Sequence, residues 1–206
     1  MKHFSVYEVI GIIVPGALVL FLGSFLYKPH LDVIINSEMQ IGDFGLFVVL
    51  AYAVGQIIQA LGNIVEKAWW YLFKGVPSEW LRTGSRQLVS EQQREKLIDK
   101  INRVFAFSSP ISYDSLEKKQ WRSIVRQVHA YVADKGRSTR VDSFNANYGF
   151  NRGMSAGFLV ISALCEVNHY WGYALISLGL FGVFVIRMSG YGVNYARELV
   201  VQFLLD

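Results

Sequence analysis

Long apolar runs alternate with polar segments along this chain, and the lengths of the runs predict its architecture. The runs cover residues 7–27, 44–63, 148–167 and 170–186. Because an α-helix rises about 1.5 Å per residue, about 20 apolar residues cross a hydrocarbon core about 30 Å thick. The pattern therefore predicts an all-α integral membrane protein with about four transmembrane helices.

The first apolar run contains Pro15 and Gly16 in its interior. Proline lacks a backbone N–H and should kink the helix, and a membrane helix tolerates this when a neighbouring helix satisfies the freed carbonyl. The run is too long for the apolar region of a cleavable signal peptide, so we expect it to remain as a span.

The polar middle of the chain predicts a helical insert. The residues from Gly75 to Ser78 should break the helix that follows the second span. Ser90 and Gln93 have the spacing of a capping box. The helix behind them has an apolar face formed by Leu97, Ile98, Ile101, Val104 and Phe105.

A second insert helix is predicted beyond Pro110, with Asp114 or Ser115 as its N-cap. Its apolar stripe consists of Trp121, Ile124, Val125, Val128 and Val132. Two or three insert helices should therefore pack as a hairpin, and their small core should lean on other helices or on a neighbouring subunit. The polar stretch before the third span contains nothing that forbids a continuous helix.

These patterns divide the chain into two transmembrane hairpins, a cytoplasmic helical domain and an amphipathic tail. Trp69, Trp70 and Tyr71 predict an aromatic belt at the membrane interface. We expect the fourth span to end at 187–190, and the tail to lie on the inner membrane face or against the insert. The predicted parts are 1–74, 75–140, 141–190 and 191–206.

Composition supports this division. The chain is 52% hydrophobic and 17% charged, with a mean hydropathy of +0.30, whereas an average soluble domain is about 25% charged. Of the 36 charged residues, 24 lie within 64–142, and Lys28 alone among the 20 Lys and Arg residues falls on the side opposite the insert. The positive-inside rule then predicts that the insert and both termini lie in the cytoplasm.

A line of polar residues on the second span is the first candidate site. Gln56, Gln59, Asn63 and Glu66 are spaced for one helical face. Polar groups facing lipid are costly, so this face should meet protein or water. One hypothesis is a water-filled or gated pathway, and the alternative is interhelical hydrogen bonding that holds the bundle together.

Glycines form the second candidate. Gly149, Gly153 and Gly157 make a tandem G-x-x-x-G, and Gly172 and Gly179 recur on the fourth span. Small residues at this spacing let helices approach closely, either within one chain or between subunits. A chain this small can hardly enclose a pathway alone, so a pore would require a homo-oligomer.

Ionisable residues near the cytoplasmic membrane boundary form the third candidate. They are Glu8, Glu66, Arg152 and Arg187. Arg152 lies one turn into the third span, where an arginine should snorkel or pair with a carboxylate. We expect Glu8 or Glu66 to be its partner, in a structural pairing or a gating role.

The fourth candidate is a basic face on the second insert helix, formed by Arg122, Arg126 and His129. Arg122 and His129 fit the loose R-x(4–6)-H pattern of HEPN ribonucleases, although Ser123 stands where those proteins usually have Asn, His or Asp after the arginine. The alternative is a solvated face that contacts anionic headgroups, RNA or an acidic protein.

Apart from the loose Arg122–His129 pattern, no motif in the sequence indicates a metal, a cofactor or an enzyme. Walker A, G-x-G-x-x-G, H-E-x-x-H and G-x-S-x-G patterns are all absent, and the one cysteine, Cys165, has no Cys/His cluster around it. We therefore expect no metal site, no cofactor and no catalytic residues.

Three short segments resemble small bacterial membrane proteins of anti-phage defence systems: Tyr7–Gly16, Asn147–Gly153 and Tyr195–Leu199. The group includes the membrane accessory proteins of type VI-B CRISPR systems and the membrane subunit of the Kiwa system. The resemblance implies a membrane protein that acts with a cytoplasmic partner, senses infection or disturbs the membrane. No catalytic residues carry over.

Three functional hypotheses follow. The first is an oligomeric inner-membrane defence protein whose insert receives a signal or partner and whose spans gate or perturb the bilayer. The second is a membrane anchor or scaffold that recruits a soluble effector. The third is a membrane-tethered HEPN-like ribonuclease.

Overall fold

A computed structural model describes residues 6–26, 41–105, 107 and 110–205, without the side chains of 6–9 and 41–43. Most of these residues are helical, and none of them lies in a strand. The helices are α1 (Val6–Leu26), α2 (Ile41–Leu72), α3 (Pro77–Thr83), α4 (Glu91–Phe105), α5 (Lys118–Asp134), α6 (Thr139–Val167) and α7 (Trp171–Leu204), with a 3₁₀ turn at Tyr113–Ser115.

Among the described residues, two stretches are long and apolar enough to cross a membrane, judged by length and composition. They are Phe44–Thr83 and Trp171–Leu204, whose most apolar 18-residue windows have mean hydropathies of 1.9 and 1.6. Only 17% and 22% of the residues in these two windows are buried within the chain. The part of α1 whose side chains are described, Ile10–Leu26, is a shorter apolar helix.

The chain separates into two compact units. Unit 1 comprises Met1–Trp69 and Ala146–Ser189, and unit 2 comprises Trp70–Asn145 and Gly190–Asp206. These boundaries fall close to those predicted between the hairpins and the insert. The tail belongs to the same unit as the insert.

Unit 1 is organised around α6, whose side chains are the most buried of its helices. Met154, Phe158, Ile161 and Cys165 of α6 form a core cluster with Ala174 of α7. Leu18, Val19, Leu22 and Leu26 of α1 pack against this cluster. The lone cysteine is thus a small buried residue of a helix-packing core.

Unit 2 has a core of its own, built largely by the predicted apolar stripes. Leu97 and Ile101 of α4 are buried, as are Trp121, Ile124, Val128 and Val132 of α5. The tail of α7 completes this core with Ala196, Leu199, Val200 and Phe203. The Phe203 ring stacks on Phe105 at 6.3 Å between centroids and meets Tyr131 edge-on at 5.5 Å. Packing of the tail against the insert is therefore confirmed.

Several local predictions are confirmed. The capping box at Ser90 forms in both directions, because the Gln93 backbone N–H donates to Ser90 Oγ at 3.2 Å and the Ser90 N–H donates to Gln93 Oε1 at 3.0 Å. The helix breaks at Gly75, whose φ is +117°. The polar stretch from Thr139 runs without interruption into α6.

Two predicted helix boundaries are wrong. The helix expected to begin at Asp114 or Ser115 begins at Lys118, and its N-cap is Glu117, whose N–H is held by Gln120 Oε1 at 3.0 Å. The helix that contains the predicted fourth span does not end at Gly190, because α7 is unbroken to Leu204. One glycine inside a helix costs only about 1 kcal/mol, which neighbouring packing outweighs.

The aromatic cluster at the end of α2 also differs from the predicted belt. Trp70 is 3% exposed and packs within unit 2, edge-on to Trp80 at 5.7 Å and to Phe73 at 6.4 Å. Tyr71, by contrast, is 85% exposed. Burial of an indole among other rings of unit 2 gives Trp70 a core role in place of an interfacial one.

Candidate functional site

The polar line on α2 divides into an inward pair and an outward pair. Gln59 and Glu66 are half-buried and bonded inside unit 1, whereas Gln56 and Asn63 are exposed. Each pair is spaced by seven residues, which is two helical turns. The structure therefore brings only half of the predicted line into the interior of the bundle.

Gln59 occupies the gap that Pro15 makes in α1. Pro15 has no N–H to donate to the carbonyl four residues earlier, which belongs to Gly11. The side-chain amide of Gln59 donates to this Gly11 oxygen at 2.7 Å and to the Gly149 oxygen at 3.3 Å. One side chain thus satisfies the freed carbonyl and links α1, α2 and α6.

Arg152 completes the same network from α6. Its Nη2 donates to Gln59 Oε1 at 3.1 Å, and its Nη1 donates to Glu66 Oε2 at 2.8 Å. The Arg152 and Glu66 side chains are 24% and 22% exposed. Of the two carboxylates proposed as partners, the structure pairs Arg152 with Glu66, and the Glu8 side chain lies outside the described residues.

Two glycines leave room for this network. A Cβ on Gly62 would lie 3.1 Å from Arg152 Cγ, and a Cβ on Gly153 would lie 2.5 Å from Gln59 Nε2 and 3.0 Å from Pro15 Cγ. A side chain at Gly153 would therefore displace Gln59 from the bonds it makes. Gly153 thus allows the close helix approach that was predicted, and the group it makes room for is the Gln59 amide.

The remaining predicted boundary residue, Arg187, lies on α7 and contacts α6. Its Nε donates to Asn151 Oδ1 at 3.3 Å. Asn151 is 1% exposed, and its amide donates to the Asn147 carbonyl at 2.7 Å. Neighbouring residues of α6 thus bond to different helices, with Arg152 reaching α2 and Asn151 reaching α7.

The predicted glycines separate into two groups. Gly153 and Gly157 face α1 within the chain, and a Cβ on Gly157 would lie 3.4 Å from Val19 Cγ2. Gly149, Gly172 and Gly179 have no atom within 4 Å of a Cβ position among the described residues. Close approach within the chain therefore explains Gly153 and Gly157 but not the other three.

The tightest helix crossing in unit 1 was missed at the sequence level. A Cβ on Gly16 would collide with the backbone of Ala51 and Gly55, and one on Gly55 would collide with the backbone of Ile12. The signal was present, because Ala51 and Gly55 are four residues apart and form a small-x-x-x-small pair. Backbone contact at this crossing places Gln59, one turn further along α2, beside Gly11.

The basic face of α5 is held by carboxylates of unit 2. Arg122 contacts Glu79 Oε1 at 2.9 Å, and Lys118 contacts Glu79 Oε2 at 3.0 Å. Glu79 is 4% exposed, so these two cations neutralise a buried carboxylate. Arg122 therefore has a structural partner that the sequence did not reveal.

His129 has a structural partner as well. Its Nε2 lies 3.0 Å from Asp142 Oδ1, and its ring is 6.3 Å from that of Tyr195. Burial raises the pKa of the Tyr195 hydroxyl, and the negative charge of Asp142 adds to this rise.

Arg126 is exposed, and no described residue bonds to it. Arg122 and His129 each contact a carboxylate, so Arg126 is the one residue of the three whose charged group is unpaired within the described part of the chain.

Unit 2 also contains an open pocket of about 330 Å³ between α3 and the start of α4. Trp80, Arg86 and Arg94 are among its lining residues, with Glu91 as the acidic member. The Arg86 guanidinium lies 4.7 Å from the Trp80 ring centre and 4.9 Å from that of Phe73. This volume lies at the lower end of the range for small-ligand sites, and the lining has a net positive charge.

The described residues contain no group of three or more His, Cys, Asp or Glu side chains arranged to hold a metal ion. No protein-family model, no curated protein and no solved structure matches the chain.

Proposed function

We propose that the chain is a multi-pass protein of the bacterial inner membrane with four spans, its termini and unit 2 lying on the cytoplasmic side. The observation that carries this proposal is the distribution of exposed apolar side chains. Among the described residues, every large exposed hydrophobic side chain except those of Tyr71, Leu72 and Leu205 belongs to unit 1. Monomeric soluble proteins rarely expose apolar patches above a few hundred Å².

The polar groups of unit 1 support the same proposal. Gln59, Arg152 and Glu66 turn inward and bond to one another, while Ile57, Leu61 and Ile64 of the same helix are exposed. A protein surrounded by lipid is expected to have this arrangement, because hydrocarbon offers no hydrogen bonds to a polar side chain.

In this proposal unit 2 receives a signal or binds a protein partner, and unit 1 responds by gating or perturbing the membrane. The chain acts as an oligomer and is a component of a bacterial defence system. The defence role is supported by the resemblance of three sequence segments. Reception of a signal is supported by the pocket beside Arg86, whose net positive charge suits a small anion.

The position of any pathway is constrained by the bonds inside unit 1. Gln59 and Glu66 already bond to Arg152 and to backbone carbonyls, so they are engaged in holding the bundle. Gln56 and Asn63 are the exposed amides of the same helix. A pathway in this proposal therefore runs between copies of the chain, and the edge of α2 that contains Gln56 helps to hold those copies together.

The functional test compares bacteria that express the native chain, the Gln56→Leu variant or the Leu61→Ala control during challenge with a panel of phages. The native chain and the control are expected to lower phage yield and to depolarise the membrane, as read by a potential-sensitive dye. Gln56→Leu is expected to lose both effects while its membrane insertion is unchanged. Full protection without depolarisation would exclude the gating mechanism.

The orientation has its own test. Gly136 lies in an exposed turn with φ of +70°, and nothing lies within 4 Å of its Cβ position among the described residues. A reporter that is active only in the cytoplasm, inserted at Gly136, is expected to be active. A reporter that is active only in the periplasm should be inactive at this position. An active periplasmic reporter together with an inactive cytoplasmic reporter would overturn the orientation.

An anchor or scaffold is the second candidate function. It is favoured by the Gln59–Arg152–Glu66 network, because these side chains bond to one another and hold the helices of unit 1 together. The purified protein in dye-loaded liposomes distinguishes the two. A scaffold releases no dye beyond that of empty liposomes, even when lysate from infected cells is added, and it retains a soluble partner on affinity purification.

A further inference from the structure

One stripe of exposed positions on α2 recurs with alternating steps of four and three residues. Its members, all exposed, are Val49, Ala53, Gln56, Ala60, Asn63 and Lys67. Positions with this average spacing of 3.5 residues stay on the contact seam when two helices wind around each other with a left-handed supercoil. We call these six residues the α2 seam.

The composition of the α2 seam points to a helix partner. Gln56 and Asn63 are seven residues apart, and neither side chain bonds to any described residue. Ala53 and Ala60 recur with the same seven-residue period. In hydrocarbon an unpaired amide is costly, and small residues beside it allow another helix backbone to approach within hydrogen-bonding distance.

We propose that the α2 seam is the contact between two copies of this chain, arranged in parallel about a two-fold axis normal to the membrane. Two copies insert with the same orientation, so the axis places Gln56 beside the partner's Gln56 and Asn63 beside the partner's Asn63. A carboxamide is both a donor and an acceptor, so two identical amides satisfy each other. The amides also fix the register of the pair, as a single buried asparagine does in a coiled coil.

This inference rests on the proposed membrane location and goes beyond it by naming the residues that meet. It explains why the amides of the polar line point in two directions. Gln59 bonds to Gly11 within the chain, while Gln56, one turn earlier, is left for a partner copy. The seam also explains why Ala53 and Ala60 are exposed on a helix whose other exposed residues are mostly large.

Cysteine cross-linking in native membranes tests the proposal. Ala60→Cys and Asn63→Cys are expected to give a disulfide-linked dimer on mild oxidation. Leu61→Cys lies at the same depth and is exposed, but it is about 100° around the helix from Ala60, since each residue turns the helix by that angle. The control is expected to stay monomeric, as is the parental chain, whose single cysteine, Cys165, is 3% exposed.

A second measurement removes the amides and leaves the apolar surface in place. The double variant Gln56→Leu with Asn63→Leu is expected to weaken self-association in detergent micelles by roughly tenfold, as two interhelical hydrogen-bonding sites are lost. Leu61→Ala should leave the association constant within about twofold of the native value, because it lies off the seam.

The outcomes separate this inference from the proposed function. Equal cross-linking at Ala60→Cys and Leu61→Cys, or no dimer at either seam position in a chain that is inserted in the membrane, would overturn the seam alone. Co-purification of a different protein cross-linked to Asn63→Cys would also overturn it, by assigning the stripe to another partner. If the chain is not found in the membrane at all, the proposed function fails, and the α2 seam proposal fails with it.

Discussion

Replacing Gln59 with leucine should destabilise the protein through a carbonyl that belongs to another helix. The change removes the amide that donates to Gly11 O at 2.7 Å and the oxygen that accepts from Arg152 at 3.1 Å. Leucine has a similar volume, so the cost comes mainly from the unpaired groups. An unsatisfied buried acceptor costs about 1–3 kcal/mol, and an interhelical hydrogen bond in a membrane contributes about 0.6–2 kcal/mol. We expect a loss of about 2–3 kcal/mol in the free energy of unfolding.

The cause can be isolated by repeating the substitution in a Pro15→Ala background. Alanine restores the backbone N–H, which can donate to Gly11 O within α1. Gln59→Leu should then cost at least about 1 kcal/mol less than it does beside Pro15, because Gly11 O is no longer left unpaired. Any cavity left by the proline ring is common to both members of the pair and cancels from the difference.

The assay is unfolding in mixed detergent micelles, followed by far-ultraviolet circular dichroism at a dilution at which the chain is monomeric. Gln56→Leu serves as the matched control, because it makes the same substitution one turn away at a side chain without a bond to any described residue. Its unfolding free energy should change by less than about 0.5 kcal/mol. Equal costs of Gln59→Leu in the native chain and in the Pro15→Ala background would refute the pairing of Gln59 with the freed carbonyl.

Three further predictions concern the ion pair, the helix crossing and unit 2. Glu66→Gln should lower the unfolding free energy by about 1 kcal/mol, a modest effect because both partners are partly exposed, and Glu95→Gln on the surface should not. Gly55→Leu should abolish monodisperse folded protein on gel filtration, since its side chain meets the α1 backbone, whereas Gly172→Leu, with open space around it, should elute normally. Phe203 is 0% exposed, so Phe203→Ala should lower the free energy of unfolding by about 3–5 kcal/mol and lower the melting temperature with it. An unchanged melting temperature would exclude the tail from the unit 2 core.

The insert helices were predictable from sequence because their signals are local. The Ser90 capping box and the Trp121 stripe each depend on residues within a few turns of one helix. The cap at Glu117 was missed because Asp and Ser are preferred N-cap residues and Glu is not. The 3₁₀ turn at Tyr113–Ser115 takes up both Asp114 and Ser115, so the next helix begins after Glu117. Continuity through Gly190 was missed because the packing of Phe203 outweighs a weak local preference.

The candidate site was predictable only in part, because its partners are distant in sequence. The sequence places Gln56 and Gln59 on one helical face, yet three residues separate them by about 60° around the axis. Which edge of that face turns inward is decided by the Gly16–Gly55 crossing, which brings Gln59 to the Gly11 carbonyl. Similarly, the basic face of α5 could be predicted from the sequence, but the buried Glu79 that accepts a hydrogen bond from Arg122 lies 43 residues away.

Alkaline carbonate extraction of membranes that contain the full chain tests the central claim most directly, namely that unit 1 is solvated by lipid. Sodium carbonate at high pH strips proteins held by charge or by a partner and leaves those whose apolar surface is embedded in the bilayer. The exposed apolar side chains of α2 and α7 predict that the chain stays in the membrane pellet. Its quantitative release into the supernatant as a folded protein would contradict the account.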